Sequence, residues 1–169
     1  MFVCTGNICR SPTAERLALT YGAELGISDL TTSSAGTRAV IGHPVHPDAA
    51  TVLEQLGGDA SQFAARQLTA KIALNADLVL TMSKAHRDAV LELAPRQLHK
   101  TFTLVEAAKL AQDYDAERLQ DLAALRGQLP ARDVHDIPDP IGREPEFFAE
   151  VGANITDALR PILQICRQA

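Results

Sequence analysis

The segment from Cys4 to Ser11 contains the residue types needed to bind and attack a phosphate group. Cys4 supplies a thiol, and six positions later Arg10 supplies a guanidinium. A guanidinium is planar and can donate to two phosphate oxygens at once, and successive backbone amides in a tight loop can converge on the same anion. This C-x5-R pattern predicts a phosphate-binding loop. The predicted phosphate-binding residues are Thr5, Gly6, Asn7, Ile8, Cys9, Arg10 and Ser11.

The residues on either side of this loop indicate a strand before it and a helix after it. Residues 1–3 are apolar, and Ser11 followed by Pro12 has the pattern of a helix N-cap and a first helical residue. The positive end of a helix attracts dianions and stabilises a thiolate, so Cys4 is predicted to be a nucleophile at neutral pH. The alternative is a buried cysteine at a strand end and a surface arginine. Gly6, Ser11 and Pro12 favour the phosphate-binding loop.

The composition indicates one domain. A chain of 169 residues with 46% apolar residues suits a single compact domain over residues 1–169. The net charge of −5 and the lack of a long basic run predict no nucleic-acid partner. No apolar stretch approaches about 18 residues, so we expect no membrane partner and a cytoplasmic location. The cysteines, Cys4, Cys9 and Cys166, do not suggest a disulfide framework, which fits a reducing compartment.

Helical and extended patterns alternate along the chain, which predicts a parallel sheet covered by helices on both faces. The predicted strands are residues 1–3, 30–35, 77–82 and 100–103. The predicted helices are residues 12–26, 48–56, a short one capped by Thr69, one capped by Ser83 and ending at 93, 104–126 with a break near Tyr114, and 147–166. In such a sheet the ligand binds at the carboxyl ends of the strands, where Cys4 lies.

Residues 128–146 form a long irregular segment that contains a candidate proton donor. Cleavage of a phosphate ester by a thiolate requires an acid for the leaving oxygen, and later a base for the water that releases the phosphate. Asp139 can serve as both, and Pro138 and Pro140 restrict its backbone on either side. The alternative is a solvated acidic loop without a chemical role.

These segments together resemble the low-molecular-weight protein-tyrosine phosphatases of bacterial type. Residues 4–12 match the phosphate-binding loop of that family, and Asp139-Pro140 matches its late Asp-Pro pair. Residues 34–37, 65–68 and 77–82 match further family segments in the same order, so the resemblance spans nearly the whole chain. It implies a three-layer αβα fold with a doubly wound, four-stranded parallel sheet in the flavodoxin-like order 2-1-3-4.

The resemblance also implies roles for individual residues. Cys4 would be the nucleophile that forms a cysteinyl-phosphate intermediate, Arg10 would bind the phosphoryl group, and Asp139 would act first as general acid and then as general base. Asn7, hydrogen-bonded to Ser34, would hold the backbone of the loop. The implied substrates are proteins that contain phosphotyrosine.

Two further roles follow from the same resemblance. Ser11 would donate a hydrogen bond to the thiolate, and Cys9 would form a reversible disulfide with Cys4 under oxidation. We expect no cofactor and a monomer or weak dimer. We also expect no bound metal, because His43 and His46 lack a nearby set of cysteines or carboxylates.

The sequence departs from the family pattern in ways that bear on the substrate. Only three residues precede Cys4, so the first strand is expected to be short. Aromatic side chains line the slot of family members that favour phosphotyrosine, whereas Val40, Ile41 and Ile141 stand in those neighbourhoods here. Bacterial protein-arginine phosphatases carry threonine at the position of Ile8, and a bulkier isoleucine should disfavour phosphoarginine.

Three alternative functions remain open. A protein-arginine phosphatase would fit the absence of the aromatic side chains. A thioredoxin-linked arsenate reductase of this fold needs two cysteines in mid-chain, and this sequence has none there. A non-catalytic phosphopeptide-binding module would lack the nucleophile or the acid, yet Cys4 and Asp139 are both present.

Overall fold

Four parallel strands of three residues each form one sheet in a computed structural model that describes residues 1–114 and 116–167. The strands are β1 (Phe2–Cys4), β2 (Ser34–Gly36), β3 (Val79–Thr81) and β4 (Thr101–Thr103). Their order in the sheet is β2-β1-β3-β4, which confirms the predicted order 2-1-3-4. In the centre of the sheet, β1 pairs with β2 on one side and with β3 on the other.

The α-helices of the described residues lie between and after these strands. They are α1 (Arg10–Glu24), α2 (Pro47–Gln55), α3 (Ala70–Leu74), α4 (Lys84–Leu93), α5 (Leu104–Asp113), α6 (Asp121–Leu125) and α7 (Pro145–Arg167). Shorter 3₁₀ turns occupy Pro95–Lys100, Arg126–Gln128 and Ala131–Asp133. None of the helices in the described residues is long and apolar enough to cross a membrane.

Side-chain capping explains where several helices begin. The hydroxyl groups of Thr69 and Ser83 accept hydrogen bonds from the first turns of α3 and α4, which confirms the predicted caps. Thr103 and Glu106 form a reciprocal capping box at the start of α5. The break predicted near Tyr114 is confirmed, because α5 ends at Asp113.

Alternation along the short strands creates two apolar cores, one on each face of the sheet. Phe2, Leu80 and Phe102 pack with α1, α5 and α7 on one face. Val3 and Val79 pack with α3 and α4 on the other. The predicted three-layer αβα arrangement is therefore confirmed.

Several element boundaries differ from the sequence-based prediction. Helix α1 begins at Arg10, with Cys9 as its N-cap and no side-chain cap, so the prediction of Ser11 as N-cap was wrong. The side chain of Ser11 instead contacts Cys4 and Asn7. Strands β2, β3 and β4 are shorter than predicted, because pairing within the sheet covers only three residues of each extended segment. Strand β1 has the predicted three residues but is displaced by one position, to Phe2–Cys4.

The end of β1 coincides with the point where the chain order across the sheet reverses, between β1 and β3. Ligands of open α/β sheets bind at such switch points, outside the carboxyl ends of the strands. Cys4 is the last residue of β1, and the next residues lead directly into α1. The fold thus presents the Cys4 loop at the edge where this architecture accepts ligands.

Gly36 at the end of β2 allows the Cys4 loop to approach closely. A Cβ at residue 36 would lie 2.4 Å from the carbonyl oxygen of Thr5 and 3.0 Å from Ala39. We expect Gly36→Ala to lower the free energy of unfolding by about 1–3 kcal/mol in urea denaturation, because a backbone oxygen must move. Gly127→Ala is the control, since a Cβ there meets no atom within 4 Å. Equal stability of the two variants would contradict the tight contact.

Candidate active site

The loop between β1 and α1 pairs its carbonyl groups with neighbouring segments and leaves its amide groups without protein partners. The carbonyls of residues 4–6 accept hydrogen bonds from the amides of the segment 37–40, at 2.9 to 3.0 Å. The carbonyl of Ile8 accepts from the amide of His46 at 2.7 Å. Within the described part of the chain, none of the backbone amides of residues 5–10 donates to another protein group. This leaves six consecutive N–H donors unpaired, and successive amides of one loop can bind an anion together.

Asn7 holds the sharpest bend of this loop. Its φ is 56°, a left-handed conformation that asparagine adopts more readily than most residues. Its fully buried side-chain amide donates to Ser11 Oγ at 2.9 Å and to Ser34 Oγ at 2.8 Å, and its Oδ1 accepts from the amide of Arg66 at 2.9 Å. The partners Ser34 and Ser11 are those that the sequence-based prediction assigned to a supporting role.

The directions of these hydrogen bonds follow from the number of protons available. Ser34 donates its one hydroxyl proton to Glu15 Oε2 at 2.5 Å, so its oxygen is free to accept from Asn7. Ser11 likewise accepts from Asn7, and its own proton is left to donate to Cys4 Sγ, which lies 2.9 Å away. The network therefore directs a hydroxyl donor at the sulfur.

Arg10 lies on the opposite side of the loop and contacts the Asp-Pro segment. Its Nη2 donates to Asp139 Oδ2 at 2.6 Å, and its Nη1 donates to the carbonyl oxygen of Ile137 at 3.0 Å. Buried Ile137 is itself anchored, since its amide donates to the carbonyl of Met82 beyond β3 at 2.8 Å. The Asp139 side chain is 50% exposed and that of Arg10 is 7% exposed. The structure thus brings together Arg10 and Asp139, which are 129 positions apart.

Cys9 and Cys166 differ in environment from Cys4. Burial raises the pKa of the Cys9 thiol to about 12, with a further contribution from the nearby Cys4, so Cys9 is a neutral thiol at physiological pH. Cys9 belongs to a small apolar cluster that also contains Val45, Ala49, Val52 and Phe148. Burial also raises the pKa of Cys166, which lies on the last helix. All three thiols are free in this structure.

Two polar residues of the site were missed by the sequence-based prediction. Glu15 lies one helical turn after Ser11, a spacing that could have indicated a shared face of α1. His86 lies near the start of α4, and its ring contacts Thr5 and Ser83 at 2.8 Å each. No sequence signal links Thr5 to a residue 81 positions away.

Aliphatic side chains surround the entrance to the loop. The side chains of Ile8 and Val40 both approach Gly6, because a Cβ at residue 6 would lie 3.5 Å and 3.6 Å from them. Val40, Ile41 and Ile141 are among the large apolar residues that remain exposed. Ile141 is held beside the acid, since its amide donates to Asp139 Oδ1 at 3.2 Å.

The His43 and His46 segment has a structural contact instead of a ligand set. The ring of His46 stacks on Phe148 at a centroid distance of 5.1 Å. Within residues 1–114 and 116–167, no group of three or more histidine, cysteine or acidic side chains is arranged to hold a metal ion.

Comparisons with known proteins identify the family of this fold and loop. Residues 1–168 match the family model described as low molecular weight phosphotyrosine protein phosphatase. The low molecular weight protein-tyrosine-phosphatase Wzb of Salmonella typhi is 32% identical over 151 residues, which cover 89% of this chain and 82% of that relative. Wzb of Escherichia coli strain K12 is 40% identical over 100 residues, which cover 59% of this chain and 65% of that relative, just under two thirds of its length. The chain therefore belongs to the low-molecular-weight protein-tyrosine phosphatase family.

Solved structures share this fold. A low molecular weight protein tyrosine phosphatase from T. tengcongensis has a TM-score of 0.78 and 29% identity, and the match covers 96% of this chain and 95% of that one. The YwlE arginine phosphatase from Geobacillus stearothermophilus has a TM-score of 0.74 and 27% identity, with coverage of 96% and 88%. The predicted fold class and the predicted family are confirmed.

The buried position of Asn7 makes a direct prediction. Asn7→Ala removes the amide that pairs with three groups and places alanine at a positive φ. We expect a loss of about 2–5 kcal/mol in the free energy of unfolding and weaker binding of inorganic phosphate by isothermal titration calorimetry. Asn154→Ala on the exposed face of α7 is the control and should change stability by less than about 0.5 kcal/mol. Unchanged phosphate affinity in Asn7→Ala would contradict this role for Asn7.

Proposed function

We propose that the protein is a phosphatase that hydrolyses phosphotyrosine in proteins through a cysteinyl-phosphate intermediate. The observation that carries this proposal is the set of unpaired amides of residues 5–10. In the proposed mechanism these amides, Cys4 Sγ and the Arg10 guanidinium bind one phosphoryl group in a single site. Asp139 lies at the rim of that site, in contact with Arg10. A nucleophile, an oxyanion-binding ring and a proton donor are the parts that thiolate-dependent phosphoryl transfer requires.

In the first step the Cys4 thiolate attacks phosphorus and the bond from phosphorus to the tyrosyl oxygen breaks. Asp139, in its acid form, gives its proton to that oxygen, so the tyrosine leaves as a neutral phenol. The charge on the three equatorial phosphoryl oxygens is stabilised by the loop amides and by Arg10. These amides have no protein partner in this structure, so no hydrogen bond within the protein must break for them to bind the phosphoryl group.

In the second step the Asp139 carboxylate takes a proton from a water molecule, whose oxygen attacks phosphorus. The bond from phosphorus to Cys4 Sγ breaks, and inorganic phosphate leaves. The departing thiolate accepts a hydrogen bond from the Ser11 hydroxyl group. Ser11 Oγ lies 2.9 Å from Cys4 Sγ. Asn7 and Ser34 hold Ser11 in the orientation that makes this donation possible.

Binding of substrate changes the partner of Arg10. In this structure Asp139 contacts Arg10 Nη2, which a phosphoryl dianion would contact in the proposed complex. When the dianion binds to Arg10, the Asp139 carboxyl group is released toward the leaving oxygen. Its half-exposed side chain can rotate, while Ile137 keeps its hydrogen bond to Met82 and so preserves the anchor of the loop.

The same proposal includes the setting in which the enzyme works. Residues 1–169 would act as one domain and as a monomer or weak dimer on phosphotyrosine-containing proteins, without a cofactor. The three free thiols support a cytoplasmic location, because oxidising compartments favour disulfides. They also leave Cys4 available as a nucleophile.

A direct test compares peptides that carry phosphotyrosine, phosphoserine or phosphoarginine. We expect turnover of phosphotyrosine, its loss in Cys4→Ser, and a kcat lower by about 10²–10⁴-fold in Asp139→Asn, because general acid catalysis is removed. The matched controls Cys166→Ser and Asp133→Asn change a remote thiol and an exposed carboxylate of the same segment, and should keep wild-type rates. Acid quenching during turnover should trap phosphate on the peptide that contains Cys4.

A protein-arginine phosphatase is the second candidate, favoured by the aliphatic rim of Val40, Ile41 and Ile141. One structural relative, YwlE of Geobacillus stearothermophilus, is an arginine phosphatase. Ile8 beside Gly6 narrows the entrance and disfavours a bulky guanidinium, so phosphotyrosine stays the first choice. Faster turnover of phosphoarginine would reverse that order. Absence of all turnover with intact phosphate binding would favour a binding module, and reduction of arsenate with an external thiol would favour a reductase.

Cys9 is proposed to protect the nucleophile from irreversible oxidation. Hydrogen peroxide would oxidise Cys4 to a sulfenic acid, and the Cys9 thiol would then displace water from it to form a disulfide. Because its pKa is raised to about 12, Cys9 itself reacts slowly with peroxide. We expect dithiothreitol to restore the activity of the peroxide-treated wild type but not that of Cys9→Ala. Equal recovery of activity in the wild type and Cys9→Ala would contradict this role for Cys9. Cys166→Ala is the control and should recover like the wild type.

A further inference from the structure

Buried His86 connects the phosphate-binding loop to the start of α4. It is 8% exposed, and each of its two ring nitrogens lies 2.8 Å from a hydroxyl oxygen. Nε2 faces Thr5 Oγ1, and Nδ1 faces Ser83 Oγ. Ser83 also accepts from the backbone amide of His86 at 3.2 Å, as the N-cap of α4. The contact of Nδ1 with Ser83 thus orients the ring, and the contact of Nε2 with Thr5 connects the ring to the loop.

Thr5 is the residue through which this contact can affect the reaction. It directly follows Cys4, and its amide is the first of the unpaired donors of the loop. Its carbonyl accepts from the amide of Arg38 at 3.0 Å, whereas its side chain is held by His86. Anchors on the carbonyl and on the side chain together restrict rotation of the backbone at Thr5. Without the contact to His86, one of these two restraints is lost.

The cap of α4 does not account for the His86 ring. Ser83 caps α4 by accepting from the backbone amide of His86, which needs no imidazole. The ring is neutral at physiological pH, because burial and the nearby Arg10 lower its pKa to about 4. A neutral imidazole has one donor and one acceptor nitrogen, and both are used here.

We infer that His86 is a positioning residue, which holds Thr5 and thereby the first amides of the phosphate-binding loop in the geometry that receives the phosphoryl group. The inference rests on the proposed phosphatase function for its effect on turnover. It extends that function to a residue that touches neither substrate nor sulfur. A shift of the loop by a fraction of an ångström changes both the attack distance and the donor geometry, to which phosphoryl transfer is sensitive.

The test uses two substitutions of His86 by amide side chains, and each substitution keeps one of the two contacts of the imidazole ring. In His86→Gln the side-chain amide reaches the position of Nε2 and can still bond Thr5. In His86→Asn it reaches only the position of Nδ1 and can still bond Ser83. We expect His86→Gln to stay within about threefold of the wild type in kcat/KM for an aryl phosphate, and His86→Asn to lose about tenfold. Binding of inorganic phosphate, measured by calorimetry, should weaken in the same order.

A double-mutant cycle separates the contact from general stability. Thr5→Val removes the hydroxyl and leaves α4 untouched, so it should lose about tenfold in kcat/KM on its own. The double variant Thr5→Val/His86→Asn should be no worse than Thr5→Val alone, because both changes delete the same hydrogen bond. Additive losses, or a His86→Asn variant as active as the wild type, would overturn the inference. If His86→Asn fails to fold, Thr5→Val alone carries the test, and wild-type kcat/KM and phosphate affinity in Thr5→Val would overturn the inference.

Failure of the proposed phosphatase function would give different results from failure of the inference about His86. A wild-type protein that hydrolyses no phosphate ester would refute the phosphatase proposal, whatever the variants do. The cycle would then be measured on the dissociation constant of inorganic phosphate, where the same non-additive pattern is expected. Equal phosphate affinity of Thr5→Val, His86→Asn and wild type would refute the role of His86 independently of turnover.

Discussion

The left-handed backbone of Asn7 is the constraint on which the site depends. A non-glycine residue in that conformation costs about 1–2 kcal/mol, and this bend lies in the middle of the loop whose amides have no protein partner. Three hydrogen bonds of the buried Asn7 side chain offset the cost, with partners on α1, β2 and the segment after α2. The bend therefore exists only when these elements are assembled, so the fold as a whole sets the geometry of the loop.

The chain creates a local field that differs in sign from its net charge. The whole protein carries a net charge of −5, which repels phosphates from most of its surface. The Cys4 loop concentrates positive groups within residues 5–10. These are six amides without a protein partner, the guanidinium of Arg10 and the start of α1. The Glu15 carboxylate accepts a hydrogen bond from the Ser34 hydroxyl and thereby orients the network that supports the loop.

Local patterns in the sequence predicted the secondary-structure elements better than they predicted the side-chain contacts within the site. Alternating helical and extended periods indicated a parallel sheet, and the C-x5-R spacing located the loop, because both signals act over a few residues. The rule for helix caps failed at Ser11, where contacts with Cys4 and Asn7 outcompete a local cap. His86 could not be inferred, since its partner Thr5 becomes a neighbour only when β1 and β3 pair.

The resting ion pair of Arg10 and Asp139 is close in distance but easily exchanged. Its atoms are 2.6 Å apart, yet half of the Asp139 side chain faces solvent, and exposed pairs contribute only about 0–1 kcal/mol. A phosphoryl dianion offers Arg10 two oxygens and also satisfies the loop amides, so it competes favourably with one carboxylate oxygen. Since Arg10 keeps its bond to the carbonyl of Ile137, the exchange does not require the guanidinium to move far. The Arg10–Asp139 contact thus holds the Asp139 carboxylate beside the Cys4 loop in this structure.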